Sequence, residues 1–237
     1  MKVDSIRTNW ADTELAQNTH IITIGDKCII VDAGAKLQEV LEIVGDKKVE
    51  AILITHAHFD HISCIDAYEI AFGCPIYLHE KSERFLTDPE LNVSKYFVHD
   101  ITFEVENLHY LKGKETLHIA GVSVRAIYTP GHSEDSMCYL VCDSKHICQD
   151  DACEDCILFT GDTLFARAVG RTDLSTGNPK TLIASLNHIL KFKFNNVYTG
   201  HLRATTKQEQ LTNVPTWINY IKRNILNIQP KEYNTSN

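Results

Sequence analysis

Apolar residues recur along this chain at two spacings. Short runs rich in Ile, Val and Leu predict strands at residues 21–24, 28–31, 49–54 and 75–78, the first two joined through Gly25 and Asp26, a hairpin signal. Leu37, Val40, Leu41 and Val44 instead fall at helical spacing and stop at Gly45, which predicts an amphipathic helix over 36–44. A second helix is expected over 62–71, ending at Gly73. Between residues 82 and 114 the pattern weakens around the Asp88-Pro89 break, and this stretch reads as an irregular insertion able to lie over a site. Strand-like runs return at 116–119, 122–128, 137–141, 157–160 and 196–199. A helix is predicted over 179–190, with Asn178 as cap and Pro179 at its first position, then a polar helical stretch from Thr205 and an amphipathic tail over 217–228. With no internal repeat and no Pro/Gly/Ser-rich linker, the reading is a single domain over residues 1–237.

The chemistry lies directly after the apolar runs. Thr55-His56-Ala57-His58-Phe59-Asp60-His61 packs three imidazoles and a carboxylate behind the strand at 49–54. His56 and His58, two apart at a strand end, point to the same side, and Asp60 and His61 follow where the chain turns. Nitrogen and carboxylate donors suit zinc, iron or manganese better than calcium or magnesium. The same arrangement recurs at Thr129-Pro130-Gly131-His132-Ser133, at Gly161-Asp162-Thr163 and at Gly200-His201. In a layered α/β fold, strand ends collect at one edge of the sheet, so these separated positions can meet and build a two-metal site. Taken singly, His132 and His201 read as polar turn residues and Asp162 as a helix cap or Asx turn; the ordered set is what points to a metal. His20, His79, His99, His109, His118, His146 and His188 lack that context and read as surface or structural histidines.

THAHFDH, TPGHS, FTGDTLF and TGH, in that order over about residues 21–201, resemble the metallo-β-lactamase superfamily, in the branch that includes glyoxalase II. The resemblance implies a four-layer αββα sandwich with metals at one edge of two mixed sheets. It also implies that His56, His58 and His132 hold one divalent ion and Asp60, His61 and His201 the other, with Asp162 bridging them. The implied activity is hydrolysis of a thioester such as S-lactoylglutathione by metal-bound hydroxide, with Asp60 and Asp162 in the catalytic set and zinc, or else iron or manganese, as the metal. A metal lowers the pKa of bound water from about 15.7 to roughly 7, so no serine or cysteine nucleophile is needed.

The segment from Gly161 through Gly170-Arg171-Thr172-Asp173-Leu174 is similar to compact glyoxalase II-like hydrolases, although the GRTD part also resembles persulfide dioxygenases. Only 36 residues follow His201, too few for the helical domain with which full-length glyoxalase II holds glutathione. Arg171 is then the candidate for a substrate carboxylate, with an ion pair to Asp173 as its structural alternative; Arg167 and Arg203 are further candidates. Four other readings stay open. One is a persulfide dioxygenase using one iron on His56, His132 and Asp162; the others are a nuclease, a β-lactamase and a metal-free binding module.

Composition changes the picture at two points. The net charge of −8 opposes attraction to nucleic acid, and the partner that the resemblance implies is a small, glutathione-linked thioester, with the oligomeric state undetermined. Eight cysteines without an export-type leader or a membrane-length apolar run read as reduced thiols or metal ligands in a cytoplasmic protein, with import into an organelle left open. Four of them fall in or beside an acidic loop at 143–155, where Cys148, Cys153 and Cys156, together with Cys142 and His146, offer a candidate structural zinc site.

Overall fold

The computed structural model describes residues 1–9, 16–143 and 156–227. Among the described residues, twelve strands form two six-stranded sheets. The first runs in the order β1 (Lys2–Thr8), β2 (Gln17–Ile24), β3 (Lys27–Val31), β4 (Lys48–Leu53), β5 (Ile76–His79) and β6 (Leu108–Leu111). The second is built of β7 (Thr116–Ile119), β8 (Val122–Tyr128), β9 (Met137–Asp143), β10 (Ile157–Phe159), β11 (Asn196–Tyr198) and β12 (Thr205–Thr206). Both sheets mix parallel and antiparallel pairs.

Facing sides of the sheets share one core, in which Ile22, Ile29, Val31 and Leu53 meet Val124, Tyr139, Val141 and Phe159. The outer side of the first sheet is covered by α1 (Leu37–Val44), α2 (Phe59–Ile62), α3 (Ile65–Phe72) and α4 (Glu83–Thr87), through Val40, Ile62, Tyr68 and Phe85. That of the second is covered by α6 (Pro179–Ile189) and α7 (Lys207–Tyr220), through Leu182, Leu186, Val214 and Ile218. These are the four layers αββα. Strands buried on both faces read as continuous Ile/Val runs, which is why β3 and β4 stand out in the sequence.

Local signals act as the sequence suggests. Gly45 and Gly73 close α1 and α3 at positive φ (57° and 56°), and the Asn178 side chain accepts from the Lys180 and Thr181 amides at the start of α6. Two edge strands escape the pattern. β1 alternates only weakly, and β6 (Leu-His-Tyr-Leu) exposes its two middle residues, so neither carries the apolar signature of a central strand. The stretch 82–114 is accordingly more regular than expected: it holds α4, α5 (Ser94–Phe97) and β6, tied together by Asn92, whose side-chain amide donates to the Phe85 and Ile101 carbonyls. Thr205 and Thr206 form an edge strand before α7 begins, and the expected tail continues α7 through a π-helical turn, Ile221–Ile225.

The cysteine reading needs a correction. Cys142 and Cys156 are disulfide-bonded, because pairing of Ile157 with Val141 sets the two cysteines opposite each other at the next position of the β9–β10 ladder. Cys156 therefore offers no thiolate to zinc. Cys148 and Cys153, with the rest of the acidic loop, lie outside the described residues. Cys28, Cys64, Cys74 and Cys138 are free thiols. Among the described residues, no helix is long and apolar enough to cross a membrane.

Candidate metal centre

Strand direction explains why the ligand-type residues meet. In the second sheet β8 and β10 are both antiparallel to β9, and β10 is parallel to β11, so the C-terminal ends of β8, β10 and β11 share an edge. His132, Asp162 and His201 follow those three ends. The end of β4 reaches the same edge, because the Met137 amide donates to the Thr55 carbonyl (2.7 Å) and the Tyr139 hydroxyl to that of Ile54 (2.9 Å). His56 and His58 then leave β4, and the one-turn helix α2 carries Asp60 and His61.

Three groups of donor atoms result: His56, His58 and His132; His56, His61 and Asp162; and Asp60, His61 and His201, each within 4.8 Å of one another. Asp162 spans them. Its Oδ1 is 3.2 Å from His61 Nε2, and its Oδ2 is 3.3 Å from His201 Nε2 and 3.5 Å from His132 Nε2. Asp60 Oδ2 lies 3.3 Å from His201 Nε2, and His132 Nε2 is 3.0 Å from His58 Nδ1. All seven side chains that the sequence singles out thus converge on one place.

Four of the five rings are fixed through the far nitrogen. His132 Nδ1 donates to the Arg171 carbonyl (2.9 Å) and His201 Nδ1 to the Ala16 carbonyl (3.1 Å), since a carbonyl can only accept. His61 Nδ1 faces Asp32 Oδ2 at 2.8 Å, and His56 Nδ1 faces the Thr55 hydroxyl at 3.2 Å, which in turn donates to Asp32. The Nε2 lone pairs of these rings are therefore turned inward, the orientation that ligating histidines require. Two glycines leave room for this crowding. A Cβ on Gly200 would run into the Asp162 carboxylate and the His61 ring, and one on Gly170 into the Asp162 carbonyl and His132.

The electrostatics describe a site built for cations. Burial pushes His58 down to about 3, and burial with repulsion from the His61 and His58 rings keeps His56 neutral. Burial also disfavours charge on Asp60, Asp162, His61 and His201, but their mutual attraction outweighs it. Asp60 is held down at about 2 beside His61 and His201, while His201 is pushed up to about 10 by Asp162 and Asp60. Asp162 is lowered by His201 and His61, and His61 is raised by Asp32, Asp162 and Asp60. Without an ion the carboxylates hold protons on the nearby rings; cation binding would release them.

The fit to metal is read from atoms left over. His56 Nε2 is buried with no hydrogen-bond partner, and His61 Nε2 and Asp162 Oδ1, though 3.2 Å apart, make no well-aligned hydrogen bond, a costly arrangement unless something positive sits between them. The donor set of imidazole nitrogen and carboxylate oxygen suits divalent zinc, iron or manganese.

A cavity of about 330 Å³ opens onto His58, Asp60, His132, Asp162 and His201. Its walls include Phe59, Val93, Phe97, Phe165, Leu174 and Leu202, and Arg171 is its only Lys or Arg among the described residues. Arg171 does pair with Asp173, through Nε and Nη2 at 2.7 Å each. Arg203 pairs with Glu209 (2.7 Å), and neither Arg203 nor Arg167 lines the cavity. Two positions that sequence reasoning passed over matter here. Asp32 ends β3 at a small-residue turn, the same context that marks the ligands. Asp135 sits in the His132 turn, where its buried carboxylate accepts from the Ala57 amide (2.9 Å), the Ser82 hydroxyl (2.7 Å) and the Ser133 hydroxyl (2.6 Å).

Comparison with known proteins gives the same direction. The family model of the metallo-β-lactamase superfamily matches residues 12–147. The "Probable metallo-hydrolase YqgX" of Bacillus subtilis (strain 168) is 32% identical over 176 residues, 73% of this chain and 78% of that protein. The crystal structure of the BLEG-1 B3 metallo-β-lactamase is 32% identical with a TM-score of 0.78, covering 91% of this chain and 99% of that one. TTHA1623, solved in a di-iron-bound form, shares the fold at 24% identity and a TM-score of 0.72, covering 90% of this chain and 99% of its own. The family match spans more than half the chain and extends past His132. The chain belongs to the metallo-β-lactamase superfamily, as a metal-dependent hydrolase.

Proposed function

We propose that this protein hydrolyses a thioester, with S-lactoylglutathione as the reference substrate and a glutathione-linked acyl group as the substrate class. The observation that carries this reading is the cavity itself, which ends on the ligand cluster and whose described lining contains neither Ser nor Cys. On this reading the nucleophile is water. Overall, the acyl C–S bond breaks, a C–O bond forms to the water oxygen, and acid and thiol are released with the water protons shared between them.

The leaving group narrows the choice. An amide nitrogen must be protonated as it leaves, whereas a thiolate departs unaided, and the described lining has no Lys, Tyr or Glu to serve as general acid. His56, His58 and His132 would hold one divalent ion, Asp60, His61 and His201 a second, and Asp162 would face both. Zinc is proposed first; iron, as in the di-iron form of TTHA1623, and manganese suit the same donors. When bound, such ions lower the pKa of water and stabilise negative charge on a carbonyl oxygen. Asp32, Thr55 and the carbonyls of Arg171 and Ala16 keep the rings aimed. Arg171, whose backbone carbonyl accepts from His132, would meet a substrate carboxylate in competition with Asp173.

The test is thiol release from S-lactoylglutathione by zinc-, iron- and manganese-loaded protein, compared with Asp162→Ala and His58→Ala, each of which is expected to abolish it. A chromogenic cephalosporin belongs in the same panel, because 32% identity to BLEG-1 favours β-lactam hydrolysis as a second reading. Oxygen uptake with glutathione persulfide covers the dioxygenase reading. Absence of thiol release from any thioester would overturn the proposal.

A further inference from the structure

We infer that the acyl group of the substrate is apolar, an aryl or branched alkyl chain in place of the hydroxylated lactoyl group. This rests on the thioester reading above and specifies the acyl group. For hydrolysis the scissile carbonyl must lie against the ligand side chains, so the groups on either side of it meet the nearest walls. Phe59 stands between His58 and Asp60 in the chain, with Phe97 stacked on it at 6.3 Å between ring centroids, and Val93 and Leu174 line the same cavity. Phe165, whose ring lies 5.9 Å from that of His201, and Leu202 line it as well. Apolar side chains therefore flank the ligands in sequence and in space, and an acyl chain at the reacting carbonyl has carbon walls within reach.

The polar groups of the lining are mostly committed. Beyond the ligands they are Thr8, Gln17 and Arg171. The Gln17 amide donates to the Asn18 carbonyl (2.7 Å) and accepts from the Thr19 hydroxyl (3.3 Å), and Arg171 is held by Asp173. The Thr8 hydroxyl has no partner among the described residues but is itself buried, so the described lining offers a substrate hydroxyl at most that one uncommitted group. A lactoyl hydroxyl placed elsewhere against these walls would lose its water without gaining a hydrogen bond, whereas a phenyl or branched chain gains binding from every carbon it buries.

The test uses matched acyl groups on two carriers, glutathione and N-acetylcysteamine, with zinc-loaded protein. The expected result is a kcat/KM for the phenylacetyl thioester at least about tenfold above that for the lactoyl thioester on each active carrier, the scale of discrimination that a few methylene contacts supply. Phe97→Ala, at a surface-accessible ring whose loss leaves the core intact, is expected to raise KM for the phenylacetyl substrate several-fold and to raise KM for the lactoyl substrate by clearly less. Calorimetry with zinc-loaded protein should likewise show phenylacetate binding more tightly than lactate. Equal or better turnover of the lactoyl substrate would overturn the inference and leave the thioester reading standing, most clearly if Thr8→Val then removed that preference. Failure of both acyl groups on both carriers would overturn both.

Discussion

The carboxylate of Asp32 lies 2.8 Å from His61 Nδ1 and accepts from the Thr55 hydroxyl at 2.9 Å, so one buried side chain orients a ring in each of the two histidine groups. It also accepts from the Thr55 amide (2.8 Å), tying the end of β3 to the end of β4. Its backbone φ of 63° falls in the left-handed region, which Asp and Asn tolerate better than most residues. Asp32→Asn therefore keeps the backbone but can turn an N–H toward His61. The expected outcome is a 10- to 100-fold loss of affinity for the ion at Asp60, His61 and His201, about the range for lost partners of ligating histidines. Competition with a chromophoric chelator measures it; unchanged affinity at both sites would contradict the assigned role.

Asp135 ties three segments around the site. With Asp135→Ala, the Ala57 amide and the Ser82 and Ser133 hydroxyls lose their acceptor inside the protein. At about 1–3 kcal/mol for a buried donor left unpaired, and with hydroxyls free to rotate to other partners, a loss near 3 kcal/mol is expected in urea unfolding. Asp135→Asn, which keeps one carbonyl oxygen, should recover part of it.

Acid should weaken the fold through His20. Its ring is buried against Phe159 and Tyr198, faces the Ser5 hydroxyl and the Thr199 carbonyl, and is pushed by burial down to about 4. The folded protein thus binds this proton less readily than the unfolded chain, whose histidine titrates near 6.5. Stability contributed by the neutral ring is present in full above pH 6.5 and is lost as pH falls towards 4, by about 3 kcal/mol over that window. His20→Gln has no such proton to bind, so its stability should fall less steeply over the same window. Parallel slopes in urea titrations of the two proteins between pH 7 and pH 4 would rule His20 out as the source.

The Cys142–Cys156 bond closes a loop with a sequence separation of 14 residues. Chain-entropy arguments assign such a loop about 3 kcal/mol. The double variant Cys142→Ala/Cys156→Ala should unfold at correspondingly lower denaturant than the oxidised protein. In reducing buffer the two proteins should approach each other.

Much of the site was legible because its grammar is local. A ligand-type residue directly after an apolar run needs only the rule that strand ends share an edge, and His56, His58, Asp60, His61, His132, Asp162 and His201 all obey it. Asp32 obeys it too, but a lone aspartate at a turn carries no second ligand beside it to raise it above an ordinary turn residue. Edge strands β1 and β6 were illegible for a related reason: half-exposed strands need no continuous apolar run.

The sequence by itself determined the donor types and their order, because these follow from residue chemistry, and it implied the αββα layering through the resemblance of its motifs. Only the tertiary structure decided which ring nitrogen faces inward, which arginine stands at the cavity, and that Cys156 is bonded to Cys142. Each of those depends on partners far away in the chain: Ala16 for His201, Arg171 for His132, the register of β9 against β10 for the cysteines. A periodicity of two or of 3.6 says which side of an element is buried, and nothing about what lies across the gap.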